Sequence, residues 1–430
     1  MPTVGELLKE LHDLPKGNVY EKTISGRKHL YHQYFEHGKR VTKLVQKEEA
    51  AELGKLIARR KILEKELSRR EGKTIVLSRN ASELTDYVMN GNAIVAKFEK
   101  GVLVDLDSKL APLSIVRTRS LETFLGLRVL DMSRTNARIL RKILGIHVDE
   151  DYKTALYTYA LSVYDRYWFK PKHSKLSYEN VVLRDDLLFE TSLKGEINEV
   201  YGEAKLSPEL TTGGSFEKGW RNIEGAWWLY KSGNAAQIFS ELFCSGFASL
   251  IGLPTVPYEY EGGYIRCPNF SPKTNFEPIA ALADDNEGYD FLFSLLLDIN
   301  ESLDKEYLRL VFFDSVINNV ERHNENLGLL RDQETGNIIS LAPNFDNNLA
   351  LVATNEYLNS NPKKDGFIRQ FVGFLKNNDK AFALFKSLEF KEITLYEIEE
   401  ITMGIPIDVP HKETIAGIVL NRYRYLKEYH

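Results

Sequence analysis

Asn319-Val320-Glu321-Arg322-His323-Asn324-Glu325-Asn326, running on into Leu327-Gly328-Leu329-Leu330, decides how the rest of this 430-residue chain is read. A helical pattern (EYLRLVFFDSVI) precedes it and a short apolar strand follows. A carboxylate with an amide five residues later is the spacing of a phosphoryl-transfer loop. Glu321 can accept or orient the proton of an attacking hydroxyl, and the carbonyl oxygen of Asn326 can hold Mg²⁺. Twenty residues after Asn326, a strand-like run (IISLAP) ends in Asn344-Phe345-Asp346. A carboxylate there can bridge a metal to phosphate oxygens, and hard oxygen ligands suit Mg²⁺. Each piece alone is common as a turn or a helix cap. In the order helix, loop, strand, turn, the pair predicts phosphotransfer.

That chemistry needs a phosphate cradle and a positive charge upstream. Thr211-Thr212-Gly213-Gly214-Ser215-Phe216-Glu217-Lys218 can supply the cradle, because adjacent glycines let backbone N–H groups approach phosphate oxygens and hydroxyls add donors. Trp227-Trp228-Leu229-Tyr230-Lys231 reads as a strand ending in a lysine that can meet the nucleotide. Next comes a helix over Ala235–Gly252, with Phe239, Leu242, Phe243, Phe247 and Leu250 on one stripe and a Gly252/Pro254 stop. Glu241, ten residues after Lys231, falls opposite that stripe. The position suits an exposed glutamate and equally one that faces a polar cleft and orients the lysine.

Working outward, 43% hydrophobic and 27% charged residues are ordinary for a globular chain. The net charge of −5 argues against a wholly nucleic-acid-binding protein. Residues 1–73, however, carry 17 Lys and Arg against 11 Asp and Glu, so a basic appendage of +6 precedes an acidic body. Two isolated cysteines, Cys244 and Cys267, form no zinc motif and call for no disulfide. The N-terminal stretch lacks a signal-peptide pattern and no apolar run approaches a membrane span, so a soluble, cytoplasmic protein with no membrane contact is expected.

Four regions follow. Residues 1–73 read as three short strands, turning at Ser25-Gly26 and His37-Gly38, and a helix from Lys47 to Glu71 with Leu53, Leu56, Ile57, Leu63 and Leu67 on one stripe. This small basic unit can solvate itself, pack on a partner, or contact DNA. Residues 74–195 are mixed α/β, with a hairpin (NAIVAKFEKGVLVDL) and no catalytic constellation, and read as packing or a partner surface. Residues 196–275 are β-rich, and 276–430 are helical.

The phosphate-loop, lysine and catalytic-loop segments together resemble the HipA-like kinases, bacterial serine/threonine kinases often found as the toxins of toxin–antitoxin pairs. The resemblance covers about 205–350 well and the C-terminal helices loosely. It implies an α+β, two-lobed protein-kinase-like fold, with a β-rich N-lobe, a helical C-lobe and here an extra N-terminal hairpin/helix unit. It implies ATP and Mg²⁺ as cofactors, a protein substrate and an antitoxin partner. The family loop Asp-x-His-x-x-Asn matches Glu321 through Asn326, which brings in His323. The run before the metal aspartate brings in Phe345 beside Asp346. Lys231 corresponds to the nucleotide lysine, Glu241 to its partner, and Gly213, Gly214, Ser215 and Lys218 to the phosphate loop. By the same resemblance the hinge that meets adenine lies near Tyr264-Ile265-Arg266, and the autophosphorylated hydroxyl is Thr211 or one of its neighbours, Thr212 and Ser215. The chain departs from the family at Glu321, where the family has aspartate. That extra methylene motivates a second reading, a nucleotide-binding pseudokinase, and the basic first 73 residues motivate a third, a DNA-associated regulator.

Overall fold

In the computed structural model, all residues are described except 1–9, 11–13, 16–17, 25–26, 37–38, 71–85, 147–151, 198–205, 284–287, 354–359 and 430. Contacts divide the chain into two compact units: residues 1–79 with 141–148, and residues 80–140 with 149–430.

The smaller unit is an antiparallel meander, β1 (Asn18–Ile24), β2 (Arg27–Glu36) and β3 (Lys39–Val45), followed by α1 (Lys47–Arg70). Alternation of β-branched and aromatic with polar residues produces the strands. Ile57 and Leu63 of the predicted helix stripe are buried, whereas Leu56 is exposed. The expected turns at 25–26 and 37–38 lie outside the described residues.

The larger unit has three antiparallel sheets. The first, in the order β6-β5-β4-β7, is built from β4 (Asp86–Asn90), β5 (Ala93–Glu99), β6 (Val102–Leu106) and β7 (Tyr167–Pro171). Helices α2 (Leu113–Thr118), α3 (Leu121–Gly126), α4 (Thr135–Ile143) and a further short helix, Tyr152–Tyr157, come between β6 and β7 in sequence. The second sheet, β10-β11-β9-β8, comprises β8 (Lys218–Ile223), β9 (Ala226–Lys231), β10 (Glu259–Glu261) and β11 (Tyr264–Pro268). Glu224 and Gly225, both at positive φ, make the two-residue turn that sets the β8–β9 register. Between β9 and β10 runs α5 (Ala235–Leu250), started by a capping box of Asn234 and Gln237 and ended before Gly252 at φ +74°. The third sheet is β12 (Thr274–Pro278), β13 (Gly328–Asp332) and β14 (Ile338–Leu341).

Short helices at Tyr178–Val181 and Phe189–Lys194 follow β7, and α6 (Tyr289–Ile299), α7 (Leu303–Ile317), α8 (Gly366–Asn377), α9 (Asp379–Lys386), α10 (Leu395–Gly404) and α11 (Lys412–Lys427) make up the C-terminal part. A stack of aromatic rings runs through their largely aliphatic core. Phe239, Phe243 and Phe247, spaced i, i+4, i+8 on α5, stack at 5.9 and 6.0 Å, and Phe247 continues onto Phe313 of α7 at 6.1 Å. Arg422 of α11 is fully buried and caps α7, donating to the carbonyls of Val316 and Ser315 at 2.7 Å each while pairing with Asp365 at 2.7 Å. It thereby satisfies orphan carbonyls in the last turn before the 319–326 loop. No helix among the described residues is long and apolar enough to cross a membrane, and both cysteines are buried free thiols.

Candidate active site

The β8–β9 register places Lys218 directly opposite Lys231, and both are buried. Two like charges facing each other out of water are unfavourable unless counter-charge is supplied. For Lys231 it is. Its Nζ lies 2.9 Å from Asp346 Oδ1, 3.1 Å from the Tyr258 hydroxyl and 3.6 Å from Glu241 Oε2. Burial alone would lower its pKa, but the Asp346 and Glu241 carboxylates outweigh that and hold it well above its ordinary value. Burial likewise would raise Asp346, yet the ammonium groups of Lys231 and Lys218 hold it well below the usual carboxylate range. Glu241 is wholly buried, which resolves the sequence ambiguity in favour of the cleft. Its Oε1 accepts from the Asn347 amide at 3.0 Å, Oε2 has no hydrogen-bond partner, and burial raises its pKa.

Lys218 has no ion-pair partner among the described residues. Burial, opposed by Asp346 and helped by the charges of Lys231 and Arg134, pushes it down to about 8. Its Nζ lies under the phosphate loop, where a Cβ on Gly214 would sit 2.4 Å from it. Gly214 also has φ +87°, so a side chain there is excluded twice over. Among the described residues, the backbone N–H groups of 213–216 have no protein acceptor. Unpaired amides above a partnerless ammonium form a cradle for an anion.

The hydroxyls of this loop differ from expectation. Thr211 is buried, and its Oγ1 donates to the Leu161 carbonyl at 2.5 Å and to Pro208 at 3.3 Å. Thr212 Oγ1 donates to Pro208 and accepts from the Trp220 indole. Ser215 is the exposed hydroxyl.

The 319–326 segment is shaped by α7. Asn318 ends that helix in the left-handed region, φ +56°. Asn319 then donates to Asp314 and accepts from the Glu321 amide at 3.1 Å. Asn326 Nδ2 donates to the Glu321 carbonyl at 3.2 Å, which leaves its Oδ1 as the atom for a cation. Glu321 is half-buried, and burial followed by the charge of Asp346 raises its pKa. Arg322, which sequence reasoning passed over, is the hub. It forks onto Asp314 at 2.9 and 3.0 Å, and donates to the carbonyls of Asn326 and Phe345 and to the side chains of Asn344 and Asn347. One guanidinium therefore ties the Glu321–Asn326 loop to the Asn344–Asn347 turn, in which Asp346 is held at φ +59°.

These elements border one cleft of about 310 Å³. Gly213, Gly214, Ser215, Lys218, Lys231, Glu321, His323, Asn326, Phe345 and Asp346 all line it, and Glu241 stands behind Lys231. The ring of Phe345 stacks on Phe270 at 5.1 Å and meets Phe276 edge-on at 5.7 Å. The hinge is expected near Tyr264, Ile265 and Arg266, which lie within β11, where Arg266 pairs with Glu259 and Glu261 and covers Trp228. Directly after them Cys267 lines the cleft, whose edge also includes Phe270, Phe276, Glu277, Pro278 and Ala281. Residues from 74–195 also reach the cleft: Phe124, Arg128, Asp131, Tyr164 and Asp165 belong to its wall. Tyr164 packs on Trp220 and Phe270 at 5.1 and 5.0 Å, and its carbonyl accepts from the Phe276 amide.

The residues present fit a nucleotide with a divalent cation. The cradle has free donors, Lys218 lacks a counter-ion, and Asp346 and Asn326 offer the few hard oxygens that Mg²⁺ uses. Among the described residues no cluster of three His, Cys, Asp or Glu is arranged for a metal bound by protein alone.

The sequence matches no protein-family model and no curated protein. Among solved structures, HipA of a Shewanella oneidensis MR-1 toxin–antitoxin system, determined with HipB and operator DNA, aligns with a TM-score of 0.50. That alignment has 11% identity and covers 80% of this chain and 97% of HipA. The proinflammatory kinase CtkA of Helicobacter pylori aligns with a TM-score of 0.40 and 16% identity, over 50% of this chain and 92% of CtkA. The chain thus has a HipA-like fold, mixed α/β with antiparallel sheets and many helices.

Proposed function

We propose that this chain is an ATP- and Mg²⁺-dependent serine/threonine protein kinase of the HipA-like type. In this reading the β10-β11-β9-β8 sheet with α5 is the N-lobe and the helices from α6 onward build the C-lobe. The observation that carries it is Lys231, buried between Asp346 at 2.9 Å and Glu241 at 3.6 Å beside an open anion cradle. Mg²⁺–ATP, when bound, supplies the transferable phosphoryl group. Lys231, Lys218 and the amides of 213–216 take the triphosphate charge, and Asp346 and Asn326 Oδ1 hold the cation. Glu321 accepts the acceptor hydroxyl proton as the new O–P bond forms and the bond from Pγ to the ADP oxygen breaks. Its raised pKa makes it a better base near neutral pH than an ordinary glutamate. Positioning and charge neutralisation carry most of the rate in such reactions.

Autophosphorylation, if it follows the family, is assigned to Ser215 rather than Thr211, because the Thr211 hydroxyl is buried and committed to two carbonyls. An antitoxin protein and DNA, the classes of partner in the HipA complex, are proposed here as well, with the basic residues 1–73 as the DNA contact. Steeply salt-dependent DNA binding by the full chain tests that part. The central test is incubation with γ-labelled ATP and Mg²⁺, followed by mass spectrometry for phosphosites. Transfer that disappears in Asp346→Ala supports the reading, and undiminished transfer in that variant refutes the metal assignment. ATP binding without transfer to any acceptor would instead favour the pseudokinase, the reading that Glu321 motivates.

A further inference from the structure

The cradle at residues 213–216 needs its amides aimed before an anion arrives, and what holds them comes from outside the sheet. Arg134, from the segment that precedes α4, is 2% exposed and its Nη2 donates to the Thr212 carbonyl at 2.5 Å. Two residues on, the Asn136 amide in the first turn of α4 donates to Glu217 Oε1 at 3.2 Å. The other supports lie within the same sheet region: the Glu217 carbonyl accepts from Ser232, and the Trp220 amide donates to Glu209.

We infer that Arg134 is a positioning residue for phosphate binding, which fixes the Thr212–Gly213 peptide so that the Gly213 N–H faces the anion. This rests on the kinase reading above. In a planar trans peptide the C=O of one residue and the N–H of the next point in opposite directions. Anchoring the Thr212 oxygen on a buried guanidinium therefore turns the Gly213 N–H to the other side, toward the exposed tip of the loop. Thr212 is held in extended conformation, φ −99° and ψ 113°, so the peptide is set by the anchor and not by a helix or a ladder. Arg134 is itself confined: burial disfavours its charge, the negative charges of Glu217, Asp131 and Glu209 support it without pairing with it, and its Nε has no hydrogen-bond partner among the described residues. A charge buried without a full set of acceptors is costly, and one that spends a donor on a loop carbonyl orders that loop. Gly213 lies 3.9 Å (as a built Cβ) from Glu325 Oε2, so the loop tip faces the catalytic-loop side of the cleft.

The test compares ATP with adenosine, which fills the nucleoside end but makes no use of the cradle. Both are read by displacement of a fluorescent ADP analogue from the full chain with Mg²⁺. Arg134→Met should weaken ATP about 10- to 100-fold, the range for a charged hydrogen bond, while adenosine changes less than about twofold. Arg134→Lys should recover part of the loss. Because a variant at a buried arginine can fail to fold, Gly213→Pro provides the second arm. Thr212 already has the extended backbone that precedes proline, Gly213 is exposed, and proline deletes the N–H in question. It should show the same selective loss of ATP with an unchanged melting temperature. Equal losses for both ligands would reduce Arg134 to a structural role, and wild-type ATP affinity in Gly213→Pro would overturn the inference. If the unmodified chain binds adenosine but not ATP, the kinase reading falls and this inference with it. If it binds ATP and the variants do too, only this inference falls.

Discussion

Lys218 offers a pH test whose size follows from its surroundings. Its pKa in the free protein is about 8, because it is buried opposite Lys231 with no ion pair of its own. Phosphate oxygens placed beside its Nζ raise that pKa, so binding takes up a proton wherever the free lysine is neutral. The sign follows. The favourable term is fully present below about 8 and is lost as pH rises from there toward the bound-state value. With the bound pKa well above the range assayed, the dissociation constant for Mg²⁺–ATP grows tenfold per pH unit, so affinity at pH 9.5 is about 30-fold below that at pH 7. Three nearby acids stay outside the window: Cys267 is pushed up to about 12, and Tyr258 and Cys244 lie well above their ordinary values. Titration calorimetry of wild type and Lys218→Arg over pH 6.5–9.5 measures it. Arginine stays charged throughout, so its profile should be flat. A flat wild-type profile, or the same slope in Lys218→Arg, would refute the argument.

Lys231→Met should abolish transfer and also destabilise the fold, by about 3–5 kcal/mol, because it leaves Asp346 and Glu241 buried without their cation. A denaturant midpoint measures the second effect, and full activity would refute the nucleotide-lysine assignment. Glu321→Gln should lower transfer by about 10²-fold and leave nucleotide affinity nearly unchanged, since the residue addresses the acceptor. In the wild type the acid limb of the rate profile should lie above the ordinary glutamate range, falling as pH drops through the raised pKa of Glu321. Arg422→Met should cost about 3–5 kcal/mol by stranding Asp365 and uncapping α7, with loss of activity that parallels unfolding.

The motifs that were legible are those whose meaning is local. Alternation gave the β1–β3 meander, and the Phe239/Phe243/Phe247 stripe gave α5. Acid and amide at fixed spacing pointed to Glu321 and Asn326, which do line the cleft with Asp346. Glu241 could not be settled from its helical wheel, because a face opposite the core stripe meets either water or a cleft. Only Lys231, brought to 3.6 Å by the sheet, separates the two. Arg322 stayed hidden inside its own motif, since its acceptors Asp314, Asn344 and Asn347 are up to 25 residues away. Arg134 and Tyr164 reach still further, to Thr212 and Phe276, and no periodicity announces such contacts.

The cap that Arg422 places on α7 has a consequence in time as well as in space. The helix it closes, Leu303–Ile317, leads directly into the acid-bearing loop, yet its guanidinium is added more than a hundred residues later during synthesis. A growing chain that already holds Lys231, Glu321 and Asp346 still has the Ser315 and Val316 carbonyls unsatisfied. Domains are completed as units when the last partner emerges from the ribosome. On the proposed reading, therefore, the site is completed late, and a chain stopped short of Arg422 carries Lys231, Glu321 and Asp346 while the helix that leads into the Glu321 loop still lacks its cap.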